Sequence, residues 1–210
     1  MSARETKEKI LKCTTELILE RGGDIGNVTI RTIAARAGIG VGLTNHYFSS
    51  KEQLVEECIE SVFSELFKIL EARDPKDDEL GGDEPTRRAA RIVLDFLIKN
   101  EAIAKAALVR DVQNPMVTDY TAKLTDAFAY AMVDRRKFEE IENNDRMTER
   151  MKEQFKEHIV SEQKLKAFMI MSSIKEALIR REVLLSSMHI DLKDDEERSG
   201  YIDSLMELLY

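Results

Sequence analysis

Tryptophan is absent from the 210 residues, proline occurs three times, glycine nine times and cysteine twice. So few helix breakers, in a chain rich in Leu, Ala, Glu, Lys and Met, favour long helices. No hairpin signal, internal repeat or low-complexity tract stands against that reading, so an all-α chain is expected. Cys13 and Cys58 each sit in an apolar helical pattern without a CxxC partner. Two reduced, half-buried thiols are expected rather than a disulfide framework or a zinc site. His46, His158 and His189 show no HExxH or other metal spacing, so neither metal nor cofactor is expected. G-x-S-x-G is missing, and no acid/base cluster has a convincing spacing, which argues against an enzyme. No apolar run reaches the roughly 18 residues needed to cross a membrane. The opening MSARETKEKI is charged where a signal peptide is apolar, so a cytoplasmic protein is expected.

Hydrophobic residues make up 43% of the chain and charged residues 34%, too apolar for disorder. The net charge of −8 is unevenly spread. Residues 1–51 hold eight Lys/Arg and five Asp/Glu, net +3, and residues 52–210 hold 24 and 35, net −11. A basic head on an acidic body follows.

The prolines punctuate the chain at 75, 85 and 115. DPKDDELGGDEP, 74–85, reads as a solvated acidic loop and lacks the glycine-centred pattern of a calcium loop. EEIENND, 139–145, and HIDLKDDEERSG, 189–200, are further breaks. Between them the pattern is helical. Ile10, Cys13, Leu17 and Ile18 form one stripe, ended at the glycine pair 22–23. Ser49 and Glu52 fit a capping box opening a helix to about Ala72, with Leu54, Cys58, Val62, Leu66 and Leu70 inward. Helical repeats follow over 85–99 and 115–137. Residues 161–188 are apolar nearly all round, so that helix needs cover on two sides, one of them suited to a second subunit. Tyr201 to Leu209 carry one apolar stripe that can lie beside it.

The stretch AGIGVGLTNHYFSSKEQL, 37–54, is the most informative. Its glycines do not follow a buried strand and no GK[ST] comes after them, which excludes a nucleotide loop. A short helix capped by Thr29 and stopped at Gly38, a turn, and a second helix at about Val41–Tyr47 make a helix-turn-helix. Ile33, Ala34 and Phe48 would close its small core, and the second helix suits a major groove.

Thr29, Ile33-Ala34, Ala37-Gly38-Ile39, Gly42, His46-Tyr47-Phe48 and Lys51-Glu52-x-Leu54 resemble, in order and spacing, the N-terminal domain of the TetR family of transcriptional regulators. The resemblance covers roughly residues 5–55. Two departures stand out: Gly40 where the family usually places a capping Ser or Thr, and Thr44-Asn45 where it often shows an aliphatic residue and Tyr. The resemblance implies an all-α fold, with an N-terminal three-helix helix-turn-helix domain (1–50) and a larger helical ligand-binding and dimerisation domain (51–210). It further implies a dimeric repressor on a palindromic DNA operator, released by a small-molecule effector. A helical protein-binding module whose helix-turn-helix does not read DNA is the alternative.

Within that frame Thr29 either caps its helix or meets a phosphate, and Arg31 and Lys51 either meet phosphates or stay solvated. His46 and Tyr47 offer phosphate donors, as similar family positions do. Residues 39–48 contain no Arg, Lys or Gln, so the common arginine–guanine contact is missing. Val41 and Leu43 remain for thymine methyls, Asn45 for adenine, and Gly42 for close backbone approach. The expected half-site is therefore read through A·T pairs and DNA shape. Phe96, Phe128, Tyr130, Met132, Phe168, Met169 and Met171 are the pocket candidates in the body. Asn100, Arg110, Gln113 and His158 are candidates to orient a ligand. Ile170, Ile174, Leu178, Leu184, Ile202, Leu205, Met206 and Leu209 are the candidates for the dimer interface.

Overall fold

Ser2, Thr29, Asp119 and Thr148 each stand one residue ahead of a helix and accept a hydrogen bond from an amide that the helix leaves without a partner. At Ser2 and Thr29 the bond is returned, completing capping boxes with Glu5 and Thr32. The computed structural model describes residues 2–72, 83–116, 118–133 and 135–209. These form helices and no strand: α1 (Ala3–Glu20), α2 (Ile30–Ala37), α3 (Val41–Tyr47), α4 (Lys51–Glu71), α5 (Glu84–Lys99), α6 (Glu101–Gln113), α7 (Tyr120–Ala131), α8 (Arg135–Glu142), α9 (Glu149–Ile179), α10 (Arg181–Met188) and α11 (Asp195–Leu209). Most of the acidic stretch 74–85, residues 74–82, lies outside the described residues.

The chain divides into two compact units. The first holds the chain up to Glu65 and returns for Lys99–Asn114. Its core joins Ile10, Leu17 and Ile18 of α1 to Ile33 and Ala37 of α2, to Phe48 just after α3, to Leu54, Ile59 and Phe63 of α4, and to Ile103 and Ala107 of α6, all buried. Each large side chain removed from water in this way contributes about 1.5–3 kcal/mol. The second unit holds Leu66–Ile98 and the chain from Pro115 onward. There α7 runs along α9, and Val93, Leu97, Phe128, Ile174, Leu178, Ile202 and Met206 are buried. Within this unit Asp203 of α11 ties that helix to α5 by accepting from Arg87 (2.8 Å) and Arg91 (2.6 Å). The compact units thus divide the chain elsewhere than at the boundary expected after residue 50: residues 51–65 of α4 and all of α6 fall in the first unit with the helix-turn-helix.

Three local expectations are corrected. The helix after Phe48 starts at Lys51, so Ser50, not Ser49, precedes it. Ser50 Oγ accepts from the Gln53 amide (3.1 Å), and Gln53 Oε1 accepts from the Ser49 amide (2.8 Å); the cap is shifted one residue from Ser49/Glu52. The stretch 115–137 is not one helix, because Asp119 caps a start at Tyr120 and α7 ends at Ala131. The apolar stretch 161–188 belongs to two helices, the first beginning twelve residues earlier behind the Thr148 cap and ending at Ile179.

Candidate nucleic-acid interface

Thr29 opens α2 with its hydroxyl accepting from the Thr32 amide (3.2 Å), while Thr32 Oγ1 accepts from the Thr29 amide (3.0 Å). The cap reading of Thr29 is therefore observed, and the residue also lies exposed. Gly38 ends α2 at φ +64°, a left-handed conformation that costs a side-chain-bearing residue about 1 kcal/mol or more. The turn closes by donation from the Ile39 amide to the Ala34 carbonyl (3.0 Å). Gly40 then precedes α3 with extended backbone and no side-chain cap.

On α3 the two sides are sharply separated. Thr44 is fully buried, and Phe48 behind it is buried as well. Val41 (40% exposed) and Leu43 (42%) face solvent, as do Gly42, Asn45 and His46. Tyr47 is half-buried, its ring edge-on to His46 with centroids 5.4 Å apart. Arg31 is exposed at the start of α2. The candidate base-reading residues thus share one outward side of a helix that its inward side anchors.

Lys51 has a local role beside its candidate one: its ammonium donates to the Ile25 carbonyl at 3.0 Å and is half-buried. It ties the start of α4 to the loop ahead of α2. The sequence reading missed Arg36, whose guanidinium donates to both Glu20 oxygens (2.8 and 2.7 Å), clamping α2 to α1. That bond raises the Arg36 pKa and holds the Glu20 carboxyl below its ordinary value. The two residues are sixteen apart, and no local pattern announces such a pair.

In the second unit the candidates separate by burial. Phe96, Phe128, Met132 and Met171 are buried, whereas Tyr130, Phe168 and Met169 are exposed. Tyr130, with its ring 5.2 Å from that of Phe138, lines a cavity of about 390 Å³ with Leu70, Glu71 and Ala127. Ile170, Ile174, Leu178, Leu184, Ile202 and Met206, expected at a subunit interface, are buried within the single chain, and Leu205 and Leu209 are half-buried. The first six fill the chain's own core and are not available to a second copy. Leu165, Phe168, Met169, Val183, Met188 and Leu208 are among the exposed apolar residues of the same three helices. Of the residues considered for orienting a ligand, Arg110 pairs with Glu56 within the first unit, and His158 is exposed beside Glu162. Among the described residues no group of His, Cys, Asp and Glu could hold a metal ion, and no helix is long and apolar enough to cross a membrane.

Residues 10–58 match the family model described as bacterial regulatory proteins, tetR family. The chain is 35% identical over 92 residues to the HTH-type transcriptional repressor Rv3405c of Mycobacterium tuberculosis (strain ATCC 25618 / H37Rv), covering 43% of this chain and 48% of that protein. It is 32% identical over 87 residues to the HTH-type transcriptional regulator BetI of Stenotrophomonas maltophilia (strain R551-3), covering 41% of each. The chain spans about half the length of the curated relatives it matches. A solved transcriptional regulator (TerR/AcrR family) from Aquifex aeolicus VF5 aligns at 20% identity over 98% of this chain and 99% of its own, with a TM-score of 0.49.

Proposed function

We propose a function from one premise: through residues 10–58 the chain belongs to the TetR family of bacterial regulatory proteins. It binds double-stranded DNA at a palindromic operator as a homodimer, represses transcription there, and is released by a small-molecule effector. The observation that carries the DNA reading is the two-sided α3. Buried Thr44 and Phe48 hold it, while Val41, Gly42, Leu43 and Asn45 are presented outward. A side of this kind meets thymine methyls through Val41 and Leu43 and an adenine edge through Asn45. Thr29 and Arg31 at the start of α2, with His46, Tyr47 and Lys51, supply donors for the flanking phosphates.

A second copy is the natural cover for the exposed Leu165, Phe168, Met169, Val183, Met188 and Leu208. The cavity that Tyr130 lines with Leu70 and Ala127 supports an effector with apolar bulk. Release by the effector can be no larger than its difference in affinity for the DNA-competent and incompetent states.

The test incubates the full chain with fragments of its own genome, recovers what binds, and repeats the binding over a salt series beside Asn45→Ala. The expected result is an A·T-rich palindrome, a steep loss of affinity with salt, and in the variant a loss of about 1–3 kcal/mol confined to one base position. Critical positions that are all G·C would refute the proposed base contacts. Failure to enrich DNA at low salt, repeated after refolding away any bound ligand, would favour the protein-binding module instead.

A further inference from the structure

Residues 22–26, in the loop between α1 and α2, and one side of α6 enclose a cleft of about 490 Å³ within the first compact unit. The cavity at Tyr130 belongs to the second unit, and none of the residues proposed to meet DNA lines the cleft. Arg110 and Gln113, two of the sequence candidates for orienting a ligand, meet here instead.

One wall is bare backbone. Gly22, Gly23 and Gly26 put no side chain into the space, and a Cβ on Gly22 would meet nothing within 4 Å. At one end the loop rests on α6: a Cβ on Gly23 would lie 3.3 Å from the carbonyl carbon of Ala102 and closer still to its oxygen. Glycine there lets the two walls approach without filling the gap between them. The other wall is a helix face. Lys105, Ala106, Val109, Arg110 and Gln113 recur at three- and four-residue spacings, so their side chains stand side by side. Val109 is 38% exposed and offers an apolar floor.

The charges are already ordered. Lys105 is held by Glu101 (2.7 Å) and Arg110 by Glu56 of α4, and neither carboxylate lines the cleft. Both cations are half-buried. An ammonium has three donors, and Glu101 takes one of those on Lys105. Asp24, the carboxylate of the loop wall, is turned into its own loop, where it accepts from the Gly26 amide (2.8 Å) and the Asn27 side chain (2.9 Å). The walls therefore present two positioned cations beside an apolar floor and one carboxylate that is already engaged. A cation held in place loses little freedom when it takes a further acceptor.

We propose that this cleft binds a small organic anion, its charge between Lys105 and Arg110 and its apolar body against Ala106, Val109 and the bare glycine backbone. The site does not depend on operator binding and would exist in either reading of the helix-turn-helix.

The experiment titrates the full chain, labelled with 15N, with 2-naphthoate, 2-naphthyl phosphate, the neutral 2-naphthamide and the cation 2-naphthylmethylammonium, and follows the backbone amide signals. The expected result is saturable shifts at 22–26 and 105–113 with one or both anions, the tighter of them deciding between carboxylate and phosphate. The amide should bind at least about tenfold more weakly, and the cation should leave those signals unmoved. Shifts that do not saturate, which mean an adventitious additive only, equal binding of the amide, or saturation confined to other residues would overturn the proposal. Val109→Glu and Val112→Glu add the same charge at two exposed positions of α6, and Glu is a better helix former than Val, so both should fold. Only Val109 lines the cleft. Val109→Glu should weaken the anion at least about tenfold and Val112→Glu no more than about threefold. Equal losses would make the effect one of overall charge and refute the site. Lys105→Gln should weaken the anion about fivefold or more, and unchanged affinity would refute its role.

Discussion

Thr44 offers the sharpest test of how α3 is held. It is fully buried, and among the described residues its Oγ1 has no hydrogen-bond partner. In the unfolded chain that hydroxyl is hydrated, so folding strips it of water without replacing the bond, at a cost of about 1–3 kcal/mol. Thr44→Val keeps the branched shape, exchanges the hydroxyl for a methyl of similar size, and leaves helix propensity almost unchanged. Removing the stranded hydroxyl and burying a methyl worth about 0.8 kcal/mol should together stabilise the chain by about 1–2 kcal/mol once imperfect packing is allowed for. At about 2–4 °C per kcal/mol for a chain of this size, Tm rises by about 2–8 °C. Without tryptophan, the transition is followed by circular dichroism at 222 nm and by calorimetry. Operator affinity should not change, because Thr44 has no surface to offer DNA. A lower Tm would refute the reasoning and mean that the hydroxyl bonds a carbonyl of the preceding turn. Loss of DNA binding at unchanged stability would mean that α3 presents a different side from the one described.

Other consequences are open to measurement. His189 ends α10 at φ +58°, a left-handed conformation that glycine adopts without penalty, so His189→Gly should raise stability by about 1 kcal/mol in a denaturant titration. For Asp203, burial pushes the carboxyl up, but the bonds from Arg87 and Arg91 outweigh it and hold the pKa below the ordinary 3.8. The stability from this depressed carboxylate is fully present above pH 3.8 and is lost as pH falls through the lower folded value. Asp203→Asn should therefore be less stable than the parent at neutral pH and show a flatter acid limb below pH 3.8; an unchanged acid limb would exclude the linkage. Burial pushes the Cys58 thiol up to about 11, which leaves almost no thiolate at neutral pH. Cys58 should resist a disulfide reagent in the native chain and react fully in denaturant, and fast native labelling would count against its burial.

The first half-hundred residues were legible because their signals are local. Thr29 just ahead of a short helix, Gly38 at its end, and Ile33, Ala34 and Phe48 as a small core are signals carried by the stretch of chain itself. The side of α3 that faces out could be expected for the same reason. Even the misplaced cap at Ser49 missed by one residue only, since Ser50 and Gln53 offer the same chemistry one step along. The distant pairings were not legible. Arg36 finds Glu20 across sixteen residues, Lys51 finds the Ile25 carbonyl across twenty-six, and Arg87 finds Asp203 across 116. Helix α9 shows the limit most clearly. Its sequence is apolar on so many sides that periodicity cannot rank them, and Ile170, Ile174 and Leu178 were expected at a subunit interface. They lie in the chain's own core, while Phe168 and Met169, expected in a pocket, lie outside it. Local signals in the chain placed the caps and turns around α2 and α3 and their helix-turn-helix arrangement, because caps, turns and spacing depend on neighbours along the chain. Which apolar side is core, which cations are already engaged, and that a bare glycine backbone rests on α6 were decided only by tertiary structure, because those depend on neighbours in space.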